Sequence, residues 1–255
     1  MLISSCQSTR PGSPYLPPSD ARIIQAHFKH LVFQGPGSDR RLHVYIEGDG
    51  LPFINRFQLA QDPSSRHPLM PWLMAMDDHE SLFLGRPCYF NRALAGMEDK
   101  QCNPRFWSSA RYSEEVVSSM VSALRQLLAG RTSGVTLIGH SGGGTLAVLM
   151  AQRMPEVDQV VTLAANLDTD AWVRLHHYTP MRDSLNPATY AAPLKPIWQL
   201  HFAGGRDQNI PPRLGQAFMD RLGQRLHIIE SADHNCCWLS LWPDLLKRIN
   251  QQSQP

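Results

Sequence analysis

The segment Gly139-His140-Ser141-Gly142-Gly143 is where the chain could do chemistry. It follows a short apolar run, Val135–Ile138, and leads into a second apolar stretch, Gly144–Met154, that Pro155 ends. A strand, a tight glycine turn and a helix in that order lift a serine hydroxyl clear of a sheet and place it at the positive end of the helix. The serine then occupies a strained backbone position, and its glycine neighbours avoid collision with strand and helix. Such a serine is suited to covalent acyl transfer, provided a base takes its proton and an acid orients the base. Two other glycine patterns fit less well. A phosphate-binding loop needs lysine where Thr145 stands, and a dinucleotide fingerprint needs glycine at Ser141.

In the strand–turn–helix version of this chemistry the order along the chain is serine, acid, histidine. After Ser141, the strand-like WQLHF runs into Ala203-Gly204-Gly205-Arg206-Asp207, and LHIIE runs into Ser231-Ala232-Asp233-His234. Asp207 is therefore the expected orienting acid and His234 the expected base. Asp168, just past the preceding strand, is the rival acid, and Asp183 a more distant one. Taken singly, a plain strand-to-helix turn, a turn aspartate and a surface histidine are the competing readings of the three. The tetrahedral intermediate needs two N–H donors. Gly142 is expected to supply one. The other belongs to the loop Glu47-Gly48-Asp49-Gly50, with Asp49 as the first choice and Gly48 as the fallback. Glu47 stands where a histidine is common; it either hydrogen-bonds this loop or, with Asp49, favours a cationic substrate.

Elements must hold these residues in place. Arg22–Phe33 reads as one or two strands before the turn at Gly35–Asp39, so the domain is expected to open on an antiparallel hairpin. Leu42–Ile46, Leu82–Leu84, Val135–Ile138, Val160–Leu163, Ile197–Phe202 and Leu226–Ile229 read as further strands. Helical periodicity marks Ser113 to about Ala129, Gly144–Met154, Pro212–Leu222 and Leu239–Ile249. The alternation predicts an α/β fold, a mostly parallel twisted sheet with helices on both faces. Residues 166–196, rich in aromatics and prolines, are predicted to be a lid with few regular backbone bonds. The organisation is a tether over 1–20 and one domain over 21–255.

With 255 residues, 42% hydrophobic and 18% charged, the chain can bury a full core. A net charge of +2 gives no electrostatic case for nucleic acid. Leu2-Ile3-Ser4-Ser5-Cys6, ahead of a Pro-rich polar stretch, looks like the end of a bacterial lipoprotein signal whose true start lies upstream. Cys6 is then a lipid anchor in the cell envelope; otherwise the stretch is a disordered terminus of a cytoplasmic protein. Cys88 and Cys102 could close a small loop disulfide in an oxidising compartment, while Cys236 and Cys237 are packed thiols or a vicinal pair. No spacing of cysteines and histidines suggests a metal site, and no cofactor is expected.

In these residues the chain resembles the α/β-hydrolase superfamily from about Leu42 to Trp238. YIEGDGLPF, GRPCYF, Cys102 and FWSSARYSEEVV resemble a group of uncharacterised bacterial exported α/β hydrolases. The resemblance implies the fold and a Ser141–Asp207–His234 site but no substrate. The expected function is hydrolysis of a small carboxylic ester through an acyl-enzyme. Amide or peptide hydrolysis on the same residues, and a non-catalytic envelope scaffold, are the alternatives.

Overall fold

The computed structural model describes residues 17–251 except 56, 92 and 190–196; Cys6 and most of the tether lie outside the described residues. Chain order is β1 (Arg22–Gln25), β2 (Lys29–Gln34), β3 (Asp39–Ile46), β4 (Phe53–Asn55), β5 (Gln58–Leu59), α1 (Met70–Met74), β6 (His79–Leu84) and α2 (Glu114–Leu127). Then follow β7 (Val135–His140), α3 (Gly142–Ala151), β8 (Val157–Leu163), α4 (Thr169–His176), β9 (Trp198–Gly204), α5 (Pro212–Leu222), β10 (Leu226–Ile229) and α6 (Trp238–Gln251).

Eight strands form one sheet in the order β1-β2-β6-β3-β7-β8-β9-β10. From β6 to β10 all neighbours are parallel. The antiparallel β1–β2 hairpin adds to the edge of β6, as the alternation of Arg22–Phe33 predicts. The chain leaves β3 toward β6 on one side and returns through β7 on the other. That reversal opens a crevice beyond the carboxyl ends of β3 and β7, where open α/β sheets bind ligands.

Packing follows from the sequence pattern. Every residue of β7 is buried, and so are all ten residues of α3, because this helix is apolar all round and lies against β7 and β8. By contrast, α2 is amphipathic. Ser113 caps its N-terminus by accepting from the Val116 N–H, and its buried side carries Val117, Met120 and Leu124. α2 packs with α3, and α1 packs with α6. α6 is anchored by Trp238 and Trp242, both fully buried, with Trp242 edge-on to Tyr45 of β3. Truncating either tryptophan to alanine costs about 3–5 kcal/mol.

Three elements depart from the sequence expectation. The β4–β5 hairpin and the five-residue α1 are too short to show a period. In the 166–196 excursion, the expectation of few regular backbone bonds is corrected over the described part. Residues 169–176 form α4, capped by Asp168, whose carboxylate accepts from Ala171 N–H at 3.0 Å. Asn186 then ties the following loop back, its Oδ1 accepting from Thr169 N–H at 3.1 Å and its Nδ2 donating to Asp168 at 3.1 Å. The last part of the excursion, 190–196, lies outside the described residues.

Candidate active site

Ser141 sits between β7 and α3 with φ 52° and ψ −123°, a conformation side chains rarely adopt. Its N–H donates to Leu163 O at 2.9 Å, at the end of β8. The tight turn is possible because Gly143 packs against the backbone carbonyl of Ile46, where any Cβ would overlap. The spacing of the glycines is thus set by the sheet beneath them.

The structure brings the three sequence-selected residues together. His234, in the loop from β10 to α6, has Nε2 3.0 Å from Ser141 Oγ and Nδ1 2.8 Å from Asp207 Oδ2. Asp207 is buried in the loop from β9 to α5, and its other oxygen accepts the N–H groups of Asn209 and Ile210, both at 2.8 Å. Two backbone donors and the imidazole leave that carboxylate one orientation. The rival acids lie elsewhere. Asp168 is the cap of α4, and exposed Asp183 accepts from Ser109 Oγ at 3.2 Å.

The His234 ring is further fixed by residues the sequence reading did not select. His140 Nε2 donates to the His234 carbonyl oxygen at 2.8 Å. Burial, with the neighbouring His234 charge, pushes His140 down to about 3, so its ring is neutral. Asn209 Nδ2 lies 3.2 Å from His234 Nε2. Trp172 Nε1–H, which can only donate, reaches Asn209 O at 3.1 Å and Asn209 Oδ1 at 3.3 Å. The amide oxygen therefore faces Trp172 and the amide NH2 faces His234 Nε2. Trp172, an aromatic of the excursion, serves this loop.

On the other side of Ser141, the loop after β3 carries a buried ion cluster. The Asp49 carboxylate accepts from Arg86 Nη1, from Arg111 Nη1 at 3.0 Å and from Tyr112 OH at 2.5 Å, while Tyr89 OH donates to the Asp49 carbonyl at 3.1 Å. Burial alone would raise the Asp49 carboxyl, but Arg86 and Arg111, aided by the Tyr112 hydroxyl, hold it well below the usual carboxylate range. The carboxylate lies against Gly142, where a side chain would overlap it. The motifs YIEGDG, GRPCYF and ARYSEEVV thus converge on one point. Among the described residues Arg86 Nε has no hydrogen-bond partner, and two guanidiniums face the Asp49 carboxylate, with buried Glu47 also within electrostatic reach of Arg86. A cationic substrate group would find the Asp49 carboxylate already taken.

Glu47 hydrogen-bonds the loop as expected. Its carboxylate accepts Gly48 N–H and Met70 N–H, both at 2.9 Å. Burial raises its carboxyl, while those backbone N–H groups act against the rise. The Gly48 N–H is therefore committed. Among the described residues the Asp49 N–H meets no acceptor.

Cys88 and Cys102 form a disulfide with Cα atoms 5.4 Å apart, closing the loop between Arg86 and Arg111. Cys236 and Cys237 are also paired. Toward the N-terminal edge of the sheet, ligand atoms of His43, Asp77 and His79 lie within 4.8 Å of one another. Asp77 there takes four donors: His43 Nδ1 at 2.6 Å, Tyr45 OH at 2.5 Å, His79 N–H at 3.0 Å and His79 Nδ1 at 3.1 Å. Those donors satisfy the carboxylate as a hydrogen-bond network.

No protein-family model matches the chain, and no curated protein matches its sequence. Solved structures do match. A protein of unknown function from Agrobacterium tumefaciens, assigned to the alpha/beta hydrolases, superposes with a TM-score of 0.62 at 12% identity, covering 91% of this chain and 95% of that one. A Pyrococcus furiosus esterase gives 0.62 at 11% identity, covering 91% and 90%. An acylaminoacyl peptidase from Pyrococcus horikoshii gives 0.62 at 10% identity, covering 90% of this chain and 41% of that one. With its parallel sheet, its strand–turn–helix serine and these neighbours, the chain has the α/β-hydrolase fold.

Proposed function

We propose that the chain is a serine hydrolase that cleaves a carboxylic ester through an acyl-enzyme. The observation that carries this reading is the continuous path Ser141 Oγ–His234 Nε2 at 3.0 Å and His234 Nδ1–Asp207 Oδ2 at 2.8 Å. In the first step His234 Nε2 takes the proton of Ser141 as Oγ bonds to the ester carbonyl carbon. Asp207 accepts the Nδ1–H throughout and stabilises the imidazolium. The N–H groups of Gly142 and Asp49 receive the oxyanion. The commitment of the Gly48 N–H to Glu47 supports Asp49 as the second donor. His234 then returns its proton to the leaving alkoxide. A water, deprotonated by the same nitrogen, releases the acid and restores Ser141.

The same reading makes residues 166–196 a lid. Trp172 and His176 both reach Asn209 O, at 3.1 and 2.7 Å, which supports a place beside the mouth. The Cys88–Cys102 bridge supports an oxidising compartment, and with it a lipid anchor at Cys6 and a site in the cell envelope. A fluorophosphonate probe tests the central claim. Labelling lost in Ser141→Ala sustains it, and absence of labelling in the wild type removes it. A panel of short esters against aminoacyl amides then separates ester from amide hydrolysis.

A further inference from the structure

Four large apolar side chains project into solvent from one short segment next to the Glu47–Asp49 loop. Phe57 is 97% exposed, Ile54 65%, Leu51 57% and Phe53 45%. Three of them belong to the β4–β5 hairpin, whose strands pair only with each other. All three residues of β4 are exposed, while Leu59 of β5 packs against the core. Besides Leu59, what orders the hairpin is its own chain. Leu51 N–H donates to Pro63 O at 2.7 Å, Ala60 N–H to Pro52 O at 2.9 Å, and Phe57 N–H to Asn55 Oδ1 at 3.0 Å. An isolated two-stranded hairpin is marginal in water, and a contiguous exposed apolar patch marks a place that something covers.

We propose that this hairpin is a wedge that inserts into the surface of a lipid bilayer bearing anionic headgroups, and brings the mouth of the site onto that surface. Chain geometry supports the second half. β4 begins four residues after Asp49, at most about 14 Å of extended chain from the loop beside Ser141. Charge supports the choice of surface. Residues 51–67 carry Arg56, Arg66 and His67 against one acid, Asp62, whose carboxylate is taken up by the N–H and hydroxyl of Ser64 at 3.0 and 2.5 Å. Arg66 and His67 are exposed. Apolar side chains flanked in sequence by basic residues suit the boundary between acyl chains and acidic headgroups. Among the described residues no helix is long and apolar enough to cross a membrane, so this contact is peripheral. A second copy fits less well. The four side chains offer about 500 Å² in all, below the roughly 800 Å² per partner of a standard interface. On the serine-hydrolase reading, on which this part rests, the substrate is then an ester held in the lipid layer.

The test uses the full chain with Cys6→Ser, so that no acyl anchor contributes, and Ser141→Ala, so that no lipid is cleaved. Binding is read by flotation with vesicles of phosphatidylcholine and phosphatidylglycerol in equal parts, and with phosphatidylcholine alone. The wedge predicts flotation with the mixed vesicles, weaker flotation with the neutral ones, and a loss of about tenfold in affinity for each of Ile54→Ser and Phe57→Ser. No flotation in the parent overturns it, and so does flotation unchanged in the double serine variant. A concentration-dependent dimer in sedimentation that Phe57→Ser abolishes, without vesicle binding, also overturns it and assigns the patch to a second copy. With Ser141 restored, the double variant should keep its rate on a soluble short ester and lose about tenfold or more on the same ester in vesicles. Fluorophosphonate labelling reports separately on the hydrolase reading, because it needs no lipid.

Discussion

Trp172 and Asn209 are joined by the indole N–H, which lies 3.1 Å from the Asn209 carbonyl oxygen and 3.3 Å from its side-chain oxygen. The bond sets the amide so that its NH2 meets His234 Nε2 at 3.2 Å. Asn209 is thus a positioning residue for the neutral tautomer. Trp172→Phe keeps the ring and removes the donor; it should lower kcat on a small ester by a few-fold, with KM little changed. Asn209→Leu should cost more, about tenfold, and shift the pH–rate profile. A full wild-type profile in Asn209→Leu would remove this role.

Asp207 and Asp168 separate by mutation. Asp207→Asn should lower kcat about 10⁴-fold, because the imidazole loses its orienting acceptor. Asp168→Asn should leave the rate per folded molecule nearly intact and cost at most about 1 kcal/mol of stability, as for a helix cap. Ester assays and urea unfolding on the two variants check both outcomes. The reverse pattern would move the acid to the end of β8.

The Asp49 carboxylate pairs with two guanidiniums, which orders its variants. Asp49→Asn leaves Arg86 and Arg111 buried without a counter-charge and should destabilise by about 3–5 kcal/mol. Arg86→Met leaves Arg111 opposite Asp49, so it should cost less. Denaturant midpoints measure the order directly. Should Arg86→Met prove the more damaging of the two, that pairing is the wrong description.

Stability should fall on mild acidification. Burial pushes His30 down to about 4 and His201 and His140 to about 3, each from an ordinary 6.5. Between pH 6.5 and 4 the unfolded chain binds protons that these folded rings refuse. Stability present above that window is therefore lost as pH drops, by up to about 1.4 kcal/mol per pH unit for each ring. Buried Glu47, whose carboxyl is raised, acts in the opposite sense, but His43 and His227, also lowered chiefly by burial, add to the three rings. The urea midpoint at pH 5 should lie clearly below that at pH 7.5, and His201→Gln should flatten the difference. Equal midpoints in the wild type would contradict the assignment of neutral buried rings.

The close approach of Ser141, Asp207 and His234 was legible because each follows a strand end in a fixed order, and the glycines around Ser141 are demanded locally. The residues that steady them were not. Arg86, Arg111 and Tyr112 lie 37, 62 and 63 positions from Asp49, and sequence spacing says nothing about such pairs. Asn209 was hidden for another reason. Its role depends on which way its amide points, and that is decided by Trp172, 37 positions away. The β1–β2 hairpin and the parallel order could be read from alternation, whereas β4–β5 could not, since all three residues of β4 are exposed and no buried face imposes a period on it.

On the serine-hydrolase reading, the separation of these parts along the chain also governs when Ser141 becomes reactive. Ser141 and His234 are 93 positions apart, and Asp49 meets Tyr112 across 63. The Ser141–His234 contact cannot form until the chain has passed the last strand, since His234 follows β10. A ribosome-bound or half-folded chain therefore carries Ser141 as an ordinary alcohol, harmless to the esters around it. On that reading, activity per molecule appears only once the segment carrying His234 has docked.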